Sequence, residues 1–224
     1  MSIRFFLLFF ILFTPNIYTQ SVEVDLKDRK TYEITRISDA PKIDGNLDEK
    51  VYQSLPVASD FLMYEPGDGN PIPEEYATDV KVAYNDEAIF IAAYMRSGEP
   101  EKTVKQFTQR DNVGLSEFFL VDINPYDDGE NQTRFIVTTS GAIIDGKANG
   151  DNEDYTFNTV WEAEVFHDNT GWYAEIKIPY SALRVPKKKI QPWAIQFTRK
   201  ITHRNATYSR NYIDKSVGKM SQYK

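Results

Sequence analysis

The segment at residues 122–131 gathers carboxylate and amide oxygens into a short stretch of the chain. A calcium ion is held by about six to eight oxygen atoms at flexible geometry, and such a segment supplies part of that set. The spacing is not that of an EF-hand, because no glutamate closes a loop of about 12 residues. The pattern predicts either a calcium site or a solvated hairpin turn. The candidate calcium ligands are Asp122, Asn124, Asp127, Asp128 and Glu130.

Residues that could carry catalysis form no recognisable constellation. The chain has no cysteine, which excludes thiol catalysis, disulfides, zinc fingers and iron–sulfur clusters. Its two histidines, His167 and His203, cannot supply a three-histidine metal site, and they show no pairing that would hold a haem. We expect neither haem nor a nucleotide cofactor. Glycoside hydrolysis needs two carboxylates, and 33 acidic residues always allow a pair to be nominated, so a hydrolase with an unidentified pair stays open.

The balance of charge argues against nucleic acid as a partner. The 224 residues include 26 Lys and Arg against 33 Asp and Glu, which gives a formal net charge of -7. Proteins that bind a phosphate backbone need clusters of basic side chains, and this sequence contains no basic block. We therefore expect no nucleic-acid binding.

The N-terminal residues have the pattern of a secretory signal peptide. Arg4 precedes an unbroken apolar run at residues 5–13, and the small residue Thr19 follows. The run is too short to cross a membrane, which takes about 20 apolar residues. We predict that residues 1–19 are removed on export, with a short membrane anchor as the alternative. A secreted chain without disulfides is more typical of a bacterium than of a eukaryote.

The elements that must position the candidate residues are predicted to be β-strands. From Val80 onward, apolar residues recur at every second position, and Gly, Pro, Asn or Asp bound each segment. No long stretch of helical period separates the segments, which favours an all-β antiparallel sandwich with one or two short helices. One helix is expected after Asn46, which stands three residues before Glu49 in capping-box spacing. The predicted strands are residues 80–84, 89–95, 118–123, 134–139, 160–166, 172–178 and 193–198.

Several segments together resemble the family 9 carbohydrate-binding module, in the variant found at the N-terminus of secreted bacterial proteins that continue into an outer-membrane β-barrel. The most specific combination is an opening motif at residues 40–48 and a later block at residues 171–184. One departure is Tyr52, where the family usually has tryptophan. The segments that carry the resemblance are residues 40–48, 80–94, 110–112, 124–131, 135–141 with Asp145, 171–184 and 199–204.

The resemblance implies that the chain binds an oligo- or polysaccharide without catalysis and is associated with carbohydrate catabolism. A sugar site combines aromatic rings, which stack on a pyranose, with polar groups that bind hydroxyls. Trp161 is the candidate ring, because it follows a polar loop at a strand start, whereas the phases of Trp172 and Trp193 predict burial. Burial is the alternative for Trp161 as well. The candidate polar groups are Arg110, Arg134, Arg199 and Gln196.

Each of these polar groups has a structural alternative. A guanidinium beside or within an apolar strand can instead form a salt bridge that ties the sheets together, with Asp111, Glu117 or Glu162 as partner. Gln196 could equally be an exposed strand residue. A second acidic segment with Asp151, Glu153 and Asp154 is open to the same two interpretations as residues 122–131.

The resemblance also bears on domains, partners and location. We expect an N-terminal arm at residues 20–40, one sandwich domain at residues 41–215, and the start of a linker to an absent C-terminal barrel at residues 216–224. It implies export to the periplasm or cell surface of a Gram-negative bacterium, in association with the outer membrane. The alternative from another class is a structural or interaction domain that caps the mouth of that barrel.

Overall fold

The structure, a computed structural model, describes residues 29–67, 69–129, 131–150, 152–186 and 192–213. Two β-sheets pack face to face, as expected for the sandwich, and one short α-helix lies in the described ranges. The predicted signal peptide and linker fall outside those ranges. The elements are β1 (Thr35–Arg36), α1 (Lys50–Gln53), β2 (Leu62–Glu65), β3 (Thr78–Tyr84), β4 (Ala88–Arg96), β5 (Phe118–Asn124), β6 (Asn131–Thr138), β7 (Ile143–Asn149), β8 (Asn152–Asp154), β9 (Glu162–His167), β10 (Gly171–Pro179), β11 (Ala194–Ile201) and β12 (Ala206–Ser209).

The smaller sheet has five strands in the order β1-β3-β4-β10-β9. All neighbours are antiparallel except β1 and β3. The hairpin expected from the two-residue period is confirmed as β3 and β4, with Val82 opposite Ile91. β4 is buried along almost its whole length, because both faces of its sheet are covered.

The larger sheet has seven strands in the order β2-β12-β11-β5-β6-β7-β8. The predicted strands at residues 118–123, 134–139 and 193–198 are confirmed as β5, β6 and β11. Sequence alternation did not indicate β2, β7, β8 or β12. In β7 the reason is visible, because the pair Asp145-Gly146 is typical of turns but here lies inside a strand.

The hydrophobic core lies between the two sheets. Strands of the smaller sheet contribute Val82, Ile91 and Trp172, and strands of the larger sheet contribute Phe119 and Phe135. The predicted burial of Trp172 is confirmed, since none of its side chain is exposed. Trp193 is partly buried and packs against the same core.

The outer face of the smaller sheet is covered by the segment that contains α1, where Tyr52 packs with Phe90. The carboxylate of Glu175 is buried there. It accepts hydrogen bonds from Tyr52 Oη at 2.7 Å and from the backbone N–H groups of Asp44 and Gly45 at 2.9 and 3.2 Å. This contact joins the two sequence motifs that are most specific in combination.

A tight turn at Gly45 precedes the helix. Gly45 has φ of +84°, and a Cβ on it would lie 2.8 Å from the backbone of Val165, so glycine is required. The helix begins at Lys50 with Glu49 as its N-cap and no side-chain cap, and the predicted capping box is wrong. Asn46 instead donates its backbone N–H to Asp44 Oδ1.

No helix in the described ranges has the length and apolar character needed to span a bilayer.

Candidate functional site

A groove runs over the outer face of the seven-stranded sheet and has a volume of about 270 Å³. Side chains from β2, β5, β6, β8, β11 and β12 meet there with Tyr155, which follows β8, and Ile213, which follows β12. The lining residues are Tyr64, Glu65, Phe118, Leu120, Arg134, Ile136, Glu153, Tyr155, Thr198, Lys200, Thr207 and Ile213. The groove therefore combines three aromatic rings with charged and hydroxyl groups.

Strand register places the floor of the groove. Thr198 lies opposite Leu120, which lies opposite Ile136, and Lys200 lies opposite Phe118 in the next row. Because side chains alternate between the two faces of a strand, these residues share the outward face while Phe119 points into the core. The floor is thus apolar in its centre and polar towards β12.

Arg134 lies at one end of this floor, with only 5% of its side chain exposed. Its Nε donates to Asp122 Oδ1 at 2.7 Å and its Nη2 to Asp122 Oδ2 at 3.2 Å, so the pair is bidentate. Its Nη1 donates to Glu153 and, at 3.3 Å, to the hydroxyl of Tyr155. The guanidinium therefore connects β6 to Asp122 on β5 and to Glu153 on β8.

These contacts keep Arg134 charged. Burial by itself lowers the pKa of Arg134, but the neighbouring Asp122 outweighs burial, and the pKa stands above its usual value. For Tyr155, burial raises the pKa, and the hydroxyl donates to Glu153 Oε2 at 3.1 Å. Both side chains therefore keep one protonation state near neutral pH.

Tyr155 reaches the groove because residue 146 is glycine. A Cβ on Gly146 would lie 2.8 Å from Tyr155 Cδ1 and 3.0 Å from the carbonyl oxygen of Asp154. The tyrosine ring thus lies directly on the backbone of β7, beside Arg134. About 37% of Tyr155 stays exposed, which leaves ring surface for a ligand.

Trp161 does not line the groove, and the structure contradicts its prediction as the sugar-stacking ring. Only 4% of the residue is exposed. Its ring meets Phe135 edge to face at 5.2 Å between centroids, and its Nε1 donates to Asp145 Oδ1 at 3.2 Å. The alternative, burial in the core, is what the structure shows.

Arg199 is also removed from any ligand, because it is completely buried between the sheets. Its Nη1 donates to the carbonyl oxygen of Tyr76 at 2.7 Å and to Thr78 Oγ1 at 3.2 Å, and its Nη2 donates to the carbonyl oxygen of Arg96 at 2.7 Å. Burial lowers its pKa to about 10. Arg199 ties β11 to the smaller sheet, through carbonyl groups rather than the expected salt bridge.

Arg110 and Gln196 lie outside the groove lining and have structural partners. Arg110 donates to the buried carboxylate of Asp145 and, at 3.0 Å, to the carbonyl oxygen of Thr159. Its expected contact with Asp111 is present at 3.8 Å. Gln196 is buried rather than exposed, and it bonds both backbone groups of Asn211 at 3.0 Å. Of the predicted sugar-binding residues, the groove contains Arg134.

The described part of the predicted calcium set does not fit a calcium ion. Asp122 binds the guanidinium of Arg134 with both oxygens, and Asp127 lies 4.0 Å from Nη1 of Arg29. Asn124 donates to Asp128 Oδ1 at 2.9 Å and accepts from the backbone of residue 126, which closes a turn. Across the described ranges, no three His, Cys, Asp or Glu side chains form a group suited to a metal ion. Glu130 lies outside those ranges.

Sequence reasoning missed the rings that line the groove, namely Tyr64, Phe118 and Tyr155. Phe118 and Phe119 are adjacent, so alternation alone could not say which of them faces outward. The acidic segment around Glu153 is a signal close to Tyr155, but its pattern predicts only a metal site or a solvated loop. No local pattern marks Tyr64.

Comparisons with known proteins address the fold. Neither a protein-family model nor a curated protein matches the sequence. A family 9 carbohydrate-binding module from Caldicellulosiruptor kristjanssonii, in complex with cellotriose, is similar in structure with a TM-score of 0.56 and 11% identity, over 85% of this chain and 91% of that one. The module from the same organism in complex with glucose gives a TM-score of 0.54 and 11% identity, over 85% and 93%.

A third similar structure, from Bacteroides uniformis, is described as a candidate carbohydrate-binding protein. It has a TM-score of 0.60 and 12% identity, over 80% of this chain and 88% of that one. At identities this low, the structural similarity establishes a shared architecture only, and the ligand has to be argued from the site. This chain therefore has the β-sandwich fold of family 9 carbohydrate-binding modules.

Proposed function

We propose that this chain is a non-catalytic carbohydrate-binding module and that the groove on its seven-stranded sheet is the ligand site. The observation that carries the proposal is the presence of Tyr64, Phe118 and Tyr155 in the same groove as charged and hydroxyl groups. A pyranose has an apolar face and a belt of hydroxyls, so a site for it needs both kinds of group. The similar structures that hold cellotriose and glucose support a saccharide ligand.

The charges of the groove favour a neutral glycan over an anionic one. Arg134 already donates to two carboxylates and a hydroxyl, so its guanidinium is engaged before any ligand arrives. The other charged lining residues, Glu65, Glu153 and Lys200, leave no net positive charge in the lining, and Asp122 lies beneath them. Without a net positive field, uronic or sulfated sugars gain no electrostatic attraction.

The test is titration calorimetry of the folded protein against a panel of neutral and anionic oligosaccharides. We expect binding of neutral members, and a loss of roughly 2- to 10-fold in affinity for Tyr155→Ala, because one ring contact contributes about 0.5–1.5 kcal/mol. Tyr155→Phe keeps the ring and should retain most of the affinity.

The matched control is Phe166→Ala, because Phe166 is an exposed aromatic residue on β9 of the opposite sheet. It should bind every glycan as the wild type does. A well-folded wild-type protein that binds no member of the panel would remove the proposal and leave the structural or interaction domain as the better account.

A glycoside hydrolase is the second candidate, because two carboxylates, Glu65 and Glu153, line the same groove. Hydrolysis needs one carboxyl group to donate a proton, yet both oxygens of Glu153 accept hydrogen bonds, from Arg134 and Tyr155. Release of reducing sugar from a polysaccharide panel, abolished by Glu65→Gln or Glu153→Gln, would establish hydrolysis.

We further propose that the protein is exported to the envelope of a Gram-negative bacterium, handles polysaccharide there, and is linked to an outer-membrane barrel. The support is the signal-peptide pattern at residues 1–19 together with the resemblance of the later segments. Fractionation of expressing cells followed by N-terminal sequencing is the test. A mature chain that begins near residue 20 in the envelope fraction is expected, and an uncleaved cytoplasmic chain would contradict export.

A further inference from the structure

The segment between β4 and β5 exposes two large apolar side chains. Phe107 is 88% exposed and Leu115 is 69% exposed. Single exposed apolar residues are common on protein surfaces, but two in one loop with this much exposed side chain call for an explanation. Neither residue belongs to the core clusters of the described chain.

Hydrogen bonds close the loop that carries these two residues. The backbone N–H of Gln106 donates to Ser116 Oγ at 2.9 Å, and Ser116 Oγ donates back to the Gln106 carbonyl oxygen at 2.9 Å. Gln106 Oε1 accepts the backbone N–H of Leu115 at 2.6 Å. Phe107 follows Gln106 directly, so the closure of this loop brings the backbone of Phe107 near that of Leu115.

The loop is continuous with the groove. Val113 packs against the cluster of Leu120 and Ile136, and both of these residues form the floor of the groove. Leu115 stands three residues before Phe118, which lines the groove, and three residues of extended chain reach at most about 11 Å. The backbone of Leu115 therefore lies within about 11 Å of that of Phe118, and the closed loop brings the backbone of Phe107 towards the same end of the groove.

We propose that a glycan held in the groove continues past Phe118 onto Phe107 and Leu115, so that the loop forms an additional subsite for sugar units further along the chain. This inference rests on the proposed function of the groove. The apolar faces of successive pyranose rings would pack on the Phe107 ring and the Leu115 side chain. The hydrogen bonds of Gln106 and Ser116 hold the loop before binding, so little ordering entropy opposes the contact.

The test measures affinity along the series from cellobiose to cellohexaose by titration calorimetry. Wild-type affinity should rise with chain length. Phe107→Ala should lose roughly 2- to 10-fold in affinity for cellohexaose and nothing for cellobiose. Leu115→Ala should show the same dependence on length with a smaller loss, and Phe107→Tyr should retain the wild-type pattern.

The outcomes separate this inference from the proposed function. Wild-type binding that is equally strong for all members of the series, or an equal loss for short and long ligands in Phe107→Ala, overturns the loop subsite alone. Failure of the wild type to bind any member of this series overturns the loop subsite, and failure to bind any glycan of the wider panel as well overturns both. Phe166→Ala, on the opposite sheet, is the control and should follow the wild type at every length.

Discussion

Replacing Arg134 with alanine should strongly destabilise the sandwich, and replacing Arg134 and Asp122 together should cost less than the two single replacements added. The two side chains are 5% and 1% exposed, so the single variant leaves a buried carboxylate without its guanidinium. Removing one partner of a buried pair costs about 3–5 kcal/mol. Asp122→Ala should cost less than Arg134→Ala, because Arg134 then keeps its contact with Glu153.

The double variant should cost less than the sum of the two single variants, with a coupling energy of at least about 2 kcal/mol. Urea unfolding monitored by tryptophan fluorescence gives the free energy of unfolding of each variant. Strictly additive costs would refute the reasoning, since they would mean that solvent screens the pair. The same variants, assayed for glycan binding, separate a loss of affinity from a loss of folded protein.

Four further results are expected. Trp161→Ala should lower the free energy of unfolding in urea titrations by about 3–5 kcal/mol, because the ring is buried. A near-neutral effect would indicate that the ring is exposed to solvent. Gly146→Ala should displace the Tyr155 ring and weaken glycan binding while circular dichroism stays unchanged, and unaltered affinity would contradict the role given to that ring. Burial raises the pKa of Glu175 in the folded state above its ordinary value of 4.5, so the folded state holds this proton more tightly than the unfolded state does. The free energy of unfolding should therefore fall as the pH rises from the ordinary pKa to the raised one. Glu175→Gln should flatten this part of the profile of unfolding free energy against pH, and an unchanged slope would contradict the role given to Glu175. A chelator such as EDTA should leave the melting temperature unchanged. A melting temperature that falls with EDTA and recovers with added calcium would show that the protein binds calcium after all.

The fold could be read from the chain because the two-residue period is a local property. The segments that became β3, β4, β5, β6, β9, β10 and β11 each carry enough alternating apolar residues to be recognised alone. β8 and β12 are short, and β7 contains a turn-like Asp-Gly pair, so their strand character depends on pairing with neighbours.

The site was harder to predict, and the two arginines within strands show why. Arg134 and Arg199 both occupy apolar strands, and sequence spacing treats them alike. In the structure, Arg134 faces the groove and Arg199 lies between the sheets. The period of a strand gives the relative phase of its side chains, but which phase meets the other sheet is decided when the sheets pack.

By itself the sequence determined the class of fold, the exclusion of thiol chemistry, and the two motifs that Glu175 joins in the structure, because these follow from composition and local spacing. Only the tertiary structure decided which side chains form a site. Tyr64, Phe118 and Tyr155 come from distant parts of the chain and meet because β-sheet register and packing bring them to one face. Burial, which removed Trp161 and Arg199 from any ligand, is likewise a property of the packed whole.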